Sequence, residues 1–213
     1  MSENTQPTTT QTPARRQYRR TAERRQEILV AVVQLLSNPN CSNVTTKEIA
    51  KFMGVADGAL YRHFSGKTEI LRELIGFCHS AFESMFTEIN AEANVTMLTR
   101  AKVKARALLL FAEANSGLTR LLTGEALCGE APEVKILMRD TLAHAETAIA
   151  RSLELALVQR EVPMEVDVAL RAAAIMSYVQ GRWARFVASE FQEQPTAGWD
   201  VAEQLLFSGL TAD

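Results

Sequence analysis

The sequence predicts an all-α protein in two parts, with about nine helices. Two observations run through nearly the whole chain. Apolar residues recur every three or four positions, the spacing that lines one face of a helix. Most of these stretches close at glycine, proline or asparagine, which end helices. The third observation is local. Thr45 to Thr68, TTKEIAKFMGVADGALYRHFSGKT, reads as a short helix, a tight turn at a glycine, a second short helix and the start of a third. That layout is a helix-turn-helix.

The elements follow in order. Residues 1–20 read as a disordered basic tail. The first part is Thr, Gln, Asn, Ser and Pro, with too little apolar surface to offset the entropy of ordering. The second part carries Arg15, Arg16, Arg19 and Arg20, a basic arm able to reach phosphates or a minor groove. The helix-turn-helix domain spans 21–66. Its first helix starts near Thr21 and carries Ile28, Leu29, Val32, Val33, Leu35 and Leu36 to a stop at Asn38-Pro39-Asn40. Thr45 and Glu48 then stand at capping-box spacing. Ile49, Ala50 and Met53 face inward, while Lys47 and Lys51 stay wet. Gly54 is placed to end this helix in the left-handed conformation, and Val55 to fill the angle that follows. From about Asp57 to Phe64 a second helix buries Leu60 and Phe64 and keeps Asp57, Gly58, Ala59, Tyr61, Arg62 and His63 for an outer face.

Residues 67–213 form the second part. A long helix runs from Lys67 to about Glu92, and another from Met97 to Ala114. The run Ala105 to Ala112 within the latter is apolar on nearly all sides, which predicts a buried helix at the centre of the core. Asn115 to Gly129 holds one short helix framed by glycines, and acids such as Glu125 and Glu130 read there as solvated. Two long helices follow, Glu133 to about Arg160 and Glu165 to Phe191, with a turn at Val162-Pro163. Small residues at Ala172, Ala173, Ala174, Ser177 and Gly181 would let helices approach closely.

The formal net charge of −2 hides an asymmetry. Residues 1–67 hold ten Lys or Arg against five acids, a net of +5, so the rest carries −7. A basic front on an acidic body suits a DNA reader whose other domain serves another partner. Cys41, Cys78 and Cys128 are widely spaced, and His63, His79 and His144 form no ligand pattern, so no metal or other cofactor is expected and the thiols read as reduced and cytoplasmic. No apolar run is long enough to span a membrane. No GxSxG, HExxH or phosphate-binding glycine loop occurs, and the chain does not read as an enzyme.

The run GVADGALYRHFSGKTEIL resembles the DNA-binding signature of the TetR family of bacterial regulators. It departs at Ala56, where the family often has a capping serine, and at Gly58, which loosens a helix by about 1 kcal/mol relative to alanine. The resemblance implies a homodimer bound to an inverted repeat of double-stranded DNA, dimerising through its last long helices. By their donors and their register with that signature, Thr46, Tyr61, His63 and Lys67 are assigned to phosphates; Thr45 joins them in the DNA-binding set, and Asp57, Gly58, Ala59 and Arg62 are assigned to bases. Two further segments, NSGLTRLLTGEAL at Asn115 to Leu127 and RFVASEFQEQPT at Arg185 to Thr196, resemble the nucleoid-occlusion branch of that family. That branch implies a nucleoid-associated protein that inhibits assembly of the tubulin-like division protein by binding its tail, with Phe77, Met85 and Asn115 as contact residues. The first expectation remains a transcriptional repressor, released by a small-molecule effector. Nucleoid occlusion is the alternative.

Overall fold

The computed structural model describes residues 13–41 and 44–210, with side chains from residue 21 onward. Among these residues lie eight α-helices, two 3₁₀ helices and no strand. The α-helices are α1 (Pro13–Leu36), α2 (Thr46–Phe52), α3 (Lys67–Ala91), α4 (Met97–Ala114), α5 (Ser116–Leu122), α6 (Pro132–Val158), α7 (Val168–Ala188) and α8 (Trp199–Leu206). The 3₁₀ helices span Asp57–Arg62 and Glu125–Leu127.

The first helix begins at Pro13 rather than near Thr21. The segment added, PARRQYRR, is rich in arginine, a strong helix former, and opens on a proline at the first helical position, so it continues the helix without an apolar stripe of its own. The side chains of Arg15, Arg16, Arg19 and Arg20, and the tail before Pro13, lie outside the described residues.

The turn of the helix-turn-helix forms as its residues dictate. Thr45 Oγ1 accepts from the Glu48 amide at 3.1 Å and Glu48 Oε2 from the Thr45 amide at 2.8 Å, a complete capping box. Gly54 takes φ +65°, and the amides of Gly54 and Val55 donate to Lys51 and Ala50, closing α2 with a Schellman turn. Leu60 and Phe64 are buried in the same core cluster as Ile28, Val32 and Ile49. The second helix, expected from Asp57 to Phe64, is instead the 3₁₀ segment Asp57–Arg62. Ala56 supplies no side-chain cap and Gly58 weakens helix propagation, so two tight 3₁₀ turns are all that the two buried anchors enforce.

In the body, α4 packs on α3, α6 and α7. Its Ala101, Ala105, Leu108, Leu109 and Ala112 are fully buried, and the Trp183 indole donates to the Leu108 carbonyl at 3.1 Å. The helix is not buried all round, however: Val103 is 42 % and Leu110 48 % exposed. Its neighbours α3, α5, α6 and α7 leave one face open. On α7, Ala172 is core, while Ala174, Ser177 and Gly181 lie on an exposed face.

The two parts are joined by α5, which packs on α1. The approach is so close that a Cβ at Gly117 would lie 2.2 Å from the Val33 carbonyl oxygen and 2.8 Å from Ser37 Oγ. Only glycine fits there. One turn further along, buried Arg120 donates to the carbonyls of Leu36 and Asn38, each at 2.7 Å, and so caps the C-terminal end of α1.

Candidate nucleic-acid interface and its link to the body

The outer face of the helix-turn-helix is built by α2 and the 3₁₀ turn. Asp57, Gly58 and Arg62 are exposed and Ala59 half-buried, on a turn held from beneath by Leu60. Tyr61, 57 % exposed, brings its hydroxyl 3.4 Å from Thr46 Oγ1 at the front of α2. The two hydroxyls thus present donors at one spot from two elements. Thr45 is occupied differently, since its side chain is spent on the cap of α2.

His63 and Lys67 are more enclosed. His63 is half-buried, and its Nδ1 is buried with no hydrogen-bond partner among the described residues. Lys67 starts α3, and its Nζ pairs with Glu130 Oε1 at 2.9 Å, both side chains being largely covered, 16 % and 12 % exposed. Glu130 also accepts from Thr68 Oγ1 at 3.4 Å. Glu130 is therefore not solvated as its sequence context suggests. The glycine-framed loop before α6 carries it back onto the N-terminus of α3.

Arg25 is the organising residue beneath this surface. Its guanidinium lies 4.0 Å from the centre of the Phe64 ring, donates to the His63 carbonyl, and pairs with Glu73 and, at 3.0 Å, with Glu69. Glu69 in turn accepts from the Ser65 amide at 2.6 Å and the Ser65 hydroxyl at 2.9 Å. The Ser65 amide first, and then Arg25, hold the Glu69 carboxyl at about 2, well below its ordinary 4.5. Arginine on α1 thus locks the end of the recognition turn to α3.

Of the three residues that the branch resemblance implies as partner contacts, Phe77 and Asn115 share a groove of about 230 Å³ between α1, α3 and the start of α5, floored by Leu74 and Leu118. Phe77 is 57 % and its neighbour Val30 45 % exposed. Met85 does not join them. Two turns along α3, it lies in a separate groove with Ile89, Val103 and Ala107. The two branch-like segments do meet: the Phe191 ring stacks 4.8 Å from the Arg120 guanidinium, beside the cap of α1.

A three-helix reading head with exposed polar residues on its turn, rigidly pinned to a larger helical body, defines a DNA-binding regulator of the helix-turn-helix class. Residues 28–74 match the model of bacterial regulatory proteins of the tetR family, and residues 95–211 match the SlmA-like model of the tetracyclin-repressor-like C-terminal domain. The nucleoid occlusion factor SlmA of Idiomarina loihiensis is 35 % identical over 87 % of this chain and 96 % of its own length. That of Vibrio atlanticus is 36 % identical over 88 % and 95 %. The fatty acid degradation regulator FadR of Bacillus halodurans has the same fold, with a TM-score of 0.74 at 20 % identity over 95 % of this chain and 98 % of that one. The chain belongs to the TetR family, within its SlmA-like group. Among the described residues no helix is long and apolar enough to cross a membrane, and no three His, Cys, Asp or Glu are grouped to hold a metal ion.

Proposed function

We propose that this DNA-binding regulator acts as a nucleoid-occlusion factor: a homodimer that sits on chromosomal inverted repeats and binds the tail of the tubulin-like division protein. The observation that carries the reading is the near full-length similarity to curated nucleoid occlusion factors. The groove of Phe77 and Asn115 supports it, since an amphipathic tail needs an external apolar slot beside the reading head. The test titrates DNA-bound protein into a labelled tail peptide of the division protein and follows fluorescence anisotropy. Saturable binding that Phe77→Ala weakens is the expected result. No binding at about 1 mM protein, an affinity floor near 4 kcal/mol, overturns the reading in favour of a transcriptional repressor.

The dimer uses the exposed face of α7 and α8. Leu170, Val201 and Leu205 are 69 %, 64 % and 71 % exposed, and Gly181 has open space where a Cβ would stand, so a second copy approaches closely and covers the leucines. Light scattering should find a dimer of the 23.6 kDa chain, and a monomer both free and on DNA contradicts this assignment.

On DNA, Tyr61 and Thr46 take one phosphate, with His63 and Lys67 beside it, while Asp57, Gly58, Ala59 and Arg62 face the bases. Because Lys67 is already paired with Glu130, phosphate and carboxylate share one ammonium. Lys67→Ala should weaken binding to all sites alike and lower the log-log salt slope by roughly 0.9, the loss of one phosphate contact. An unchanged slope with weaker binding assigns Lys67 to the Glu130 pair alone. Selection from random DNA by an Asp57→Asn variant tests the base contact: an unaltered motif removes Asp57 from it.

A further inference from the structure

The chain leaves α7 through a turn that aims one ring at the reading head. The amides of Glu190 and Phe191 donate to the carbonyls of Val187 at 3.0 Å and Phe186 at 2.7 Å, a Schellman ending in which glycine usually takes the left-handed place. Here Glu190 takes it, at φ +55°, and Phe191 follows at φ +67°. The motif asks for one left-handed residue, and a bulky side chain rarely adopts that conformation. The second one is therefore held by what surrounds it. Phe191 meets the Phe186 ring edge-on at 5.2 Å, and the Arg120 guanidinium lies over its face at 4.8 Å.

The rest of the loop is firmly tied. Ser189 Oγ accepts from the Glu193 amide at 2.8 Å, and Arg185 pairs with the Glu193 carboxylate at 2.8 Å. Arg182 donates to the carbonyls of Gln194 at 2.5 Å and Pro195 at 3.0 Å. Glu113 of α4 accepts from the Thr196 amide at 2.8 Å and from the Thr196 hydroxyl. These ties run to α7, its cap and α4, so the loop moves with the body and Phe191 moves with α7. Arg120 needs such a support. Its Nη1 caps α1, but its Nε is buried with no hydrogen-bond partner among the described residues, and the Glu125 carboxylate at 3.4 Å is half in solvent.

We propose that Phe191 is a positioning residue for the reading head. It holds Arg120 against the end of α1 and so carries the placement of α7 to the angle of each head. That angle sets which spacing of half-sites the dimer accepts, because one added base pair turns a half-site by about 35° and shifts it by about 3.4 Å. This role rests on dimerisation through α7 and α8, proposed above.

The test uses the full chain and an inverted repeat that the parent protein selects from random DNA, together with the same repeat lengthened or shortened by one base pair at its centre. Affinity for the three probes is measured for the parent and for two variants. Phe191→Leu keeps an apolar contact to Phe186 but offers the guanidinium no aromatic face, whereas Phe191→Tyr keeps the ring. Parent and Phe191→Tyr should prefer the selected spacing by about tenfold, the loss of one good base contact in a misplaced half-site. Phe191→Leu should reduce that preference to about threefold or less, and Phe191→Met decides the matter if Phe191→Leu does not fold. Weaker binding to all three probes with the preference kept is what a merely structural role gives, and it overturns the proposal; so does a preference lost equally in Phe191→Tyr. Light scattering of the same samples separates the two readings. A parent monomer overturns the dimer and this role with it, while a dimer whose preference ignores Phe191→Leu overturns this role alone.

Discussion

Arg120→Ala should lower the unfolding free energy by about 3 kcal/mol and loosen DNA binding, although Arg120 lies in the body and touches no residue of the reading surface. The guanidinium is 4 % exposed and spends its Nη1 on two carbonyls at the end of α1. A hydrogen bond from a charged donor contributes about 1.5 to 3 kcal/mol, and removing the donor leaves the Leu36 carbonyl buried without a partner. The stacking on Phe191 adds to the loss. Glu125 contributes little: it is 52 % exposed, and at 3.4 Å from Nε it does not satisfy that nitrogen, which remains without a hydrogen bond. Urea unfolding followed by Trp183 and Trp199 fluorescence measures the effect. Arg120→Lys retains charge but lacks the rigid fork, so it should recover only part of the loss. A stability change below about 0.5 kcal/mol, the range of ordinary surface substitutions, would show that the end of α1 does not depend on the Arg120 cap.

What was legible in the sequence is what local pattern encodes. The capping box of Thr45 and Glu48, the left-handed Gly54 and the anchors Leu60 and Phe64 all stand as read, because each depends on residues within one or two turns. The span of α4 was legible for the same reason: Thr96 accepts from the Thr99 amide and starts it, and Asn115 closes it. The shortening of the recognition turn to 3₁₀ had its signals in Ala56 and Gly58, yet their combined effect depends on how firmly two buried side chains hold the turn. Contacts between distant residues were not legible. Arg25 meets Glu69 and Glu73 across 44 and 48 positions, and Lys67 meets Glu130 through the return of a glycine-framed loop. Arg120 did leave a trace, as a lone charge between Leu118, Leu121 and Leu122, all buried. A single arginine inside an apolar helix is a reason to look for buried carbonyls. Its partners lie more than eighty residues upstream and no periodicity points to them.

Arg25→Ala is the second substitution with a large expected effect, and its pH dependence separates two causes. At neutral pH the loss should be about 2 kcal/mol, combining a charge-assisted hydrogen bond to the His63 carbonyl with the cation over the Phe64 ring. DNA affinity should fall about tenfold, since His63 ends the recognition turn and loses its anchor to α1 and α3. The pairs with Glu69 and Glu73 add a contribution that acid removes. Glu69 titrates at about 2 in the folded protein against an ordinary 4.5. A depressed carboxyl stabilises the fold at pH above its unfolded value, and that stabilisation disappears as pH falls from about 5 toward 2. Parent protein should therefore lose stability through this window. Arg25→Ala should lose less, because the ion-pair part of the depression is already gone and only the Ser65 donors remain. The gap between the two proteins, measured by thermal unfolding at several pH values, should narrow toward acid. A gap of constant size from pH 7 to pH 3 would show that Arg25 acts through its packing on Phe64 and its bond to the His63 carbonyl, with no contribution from the carboxylates.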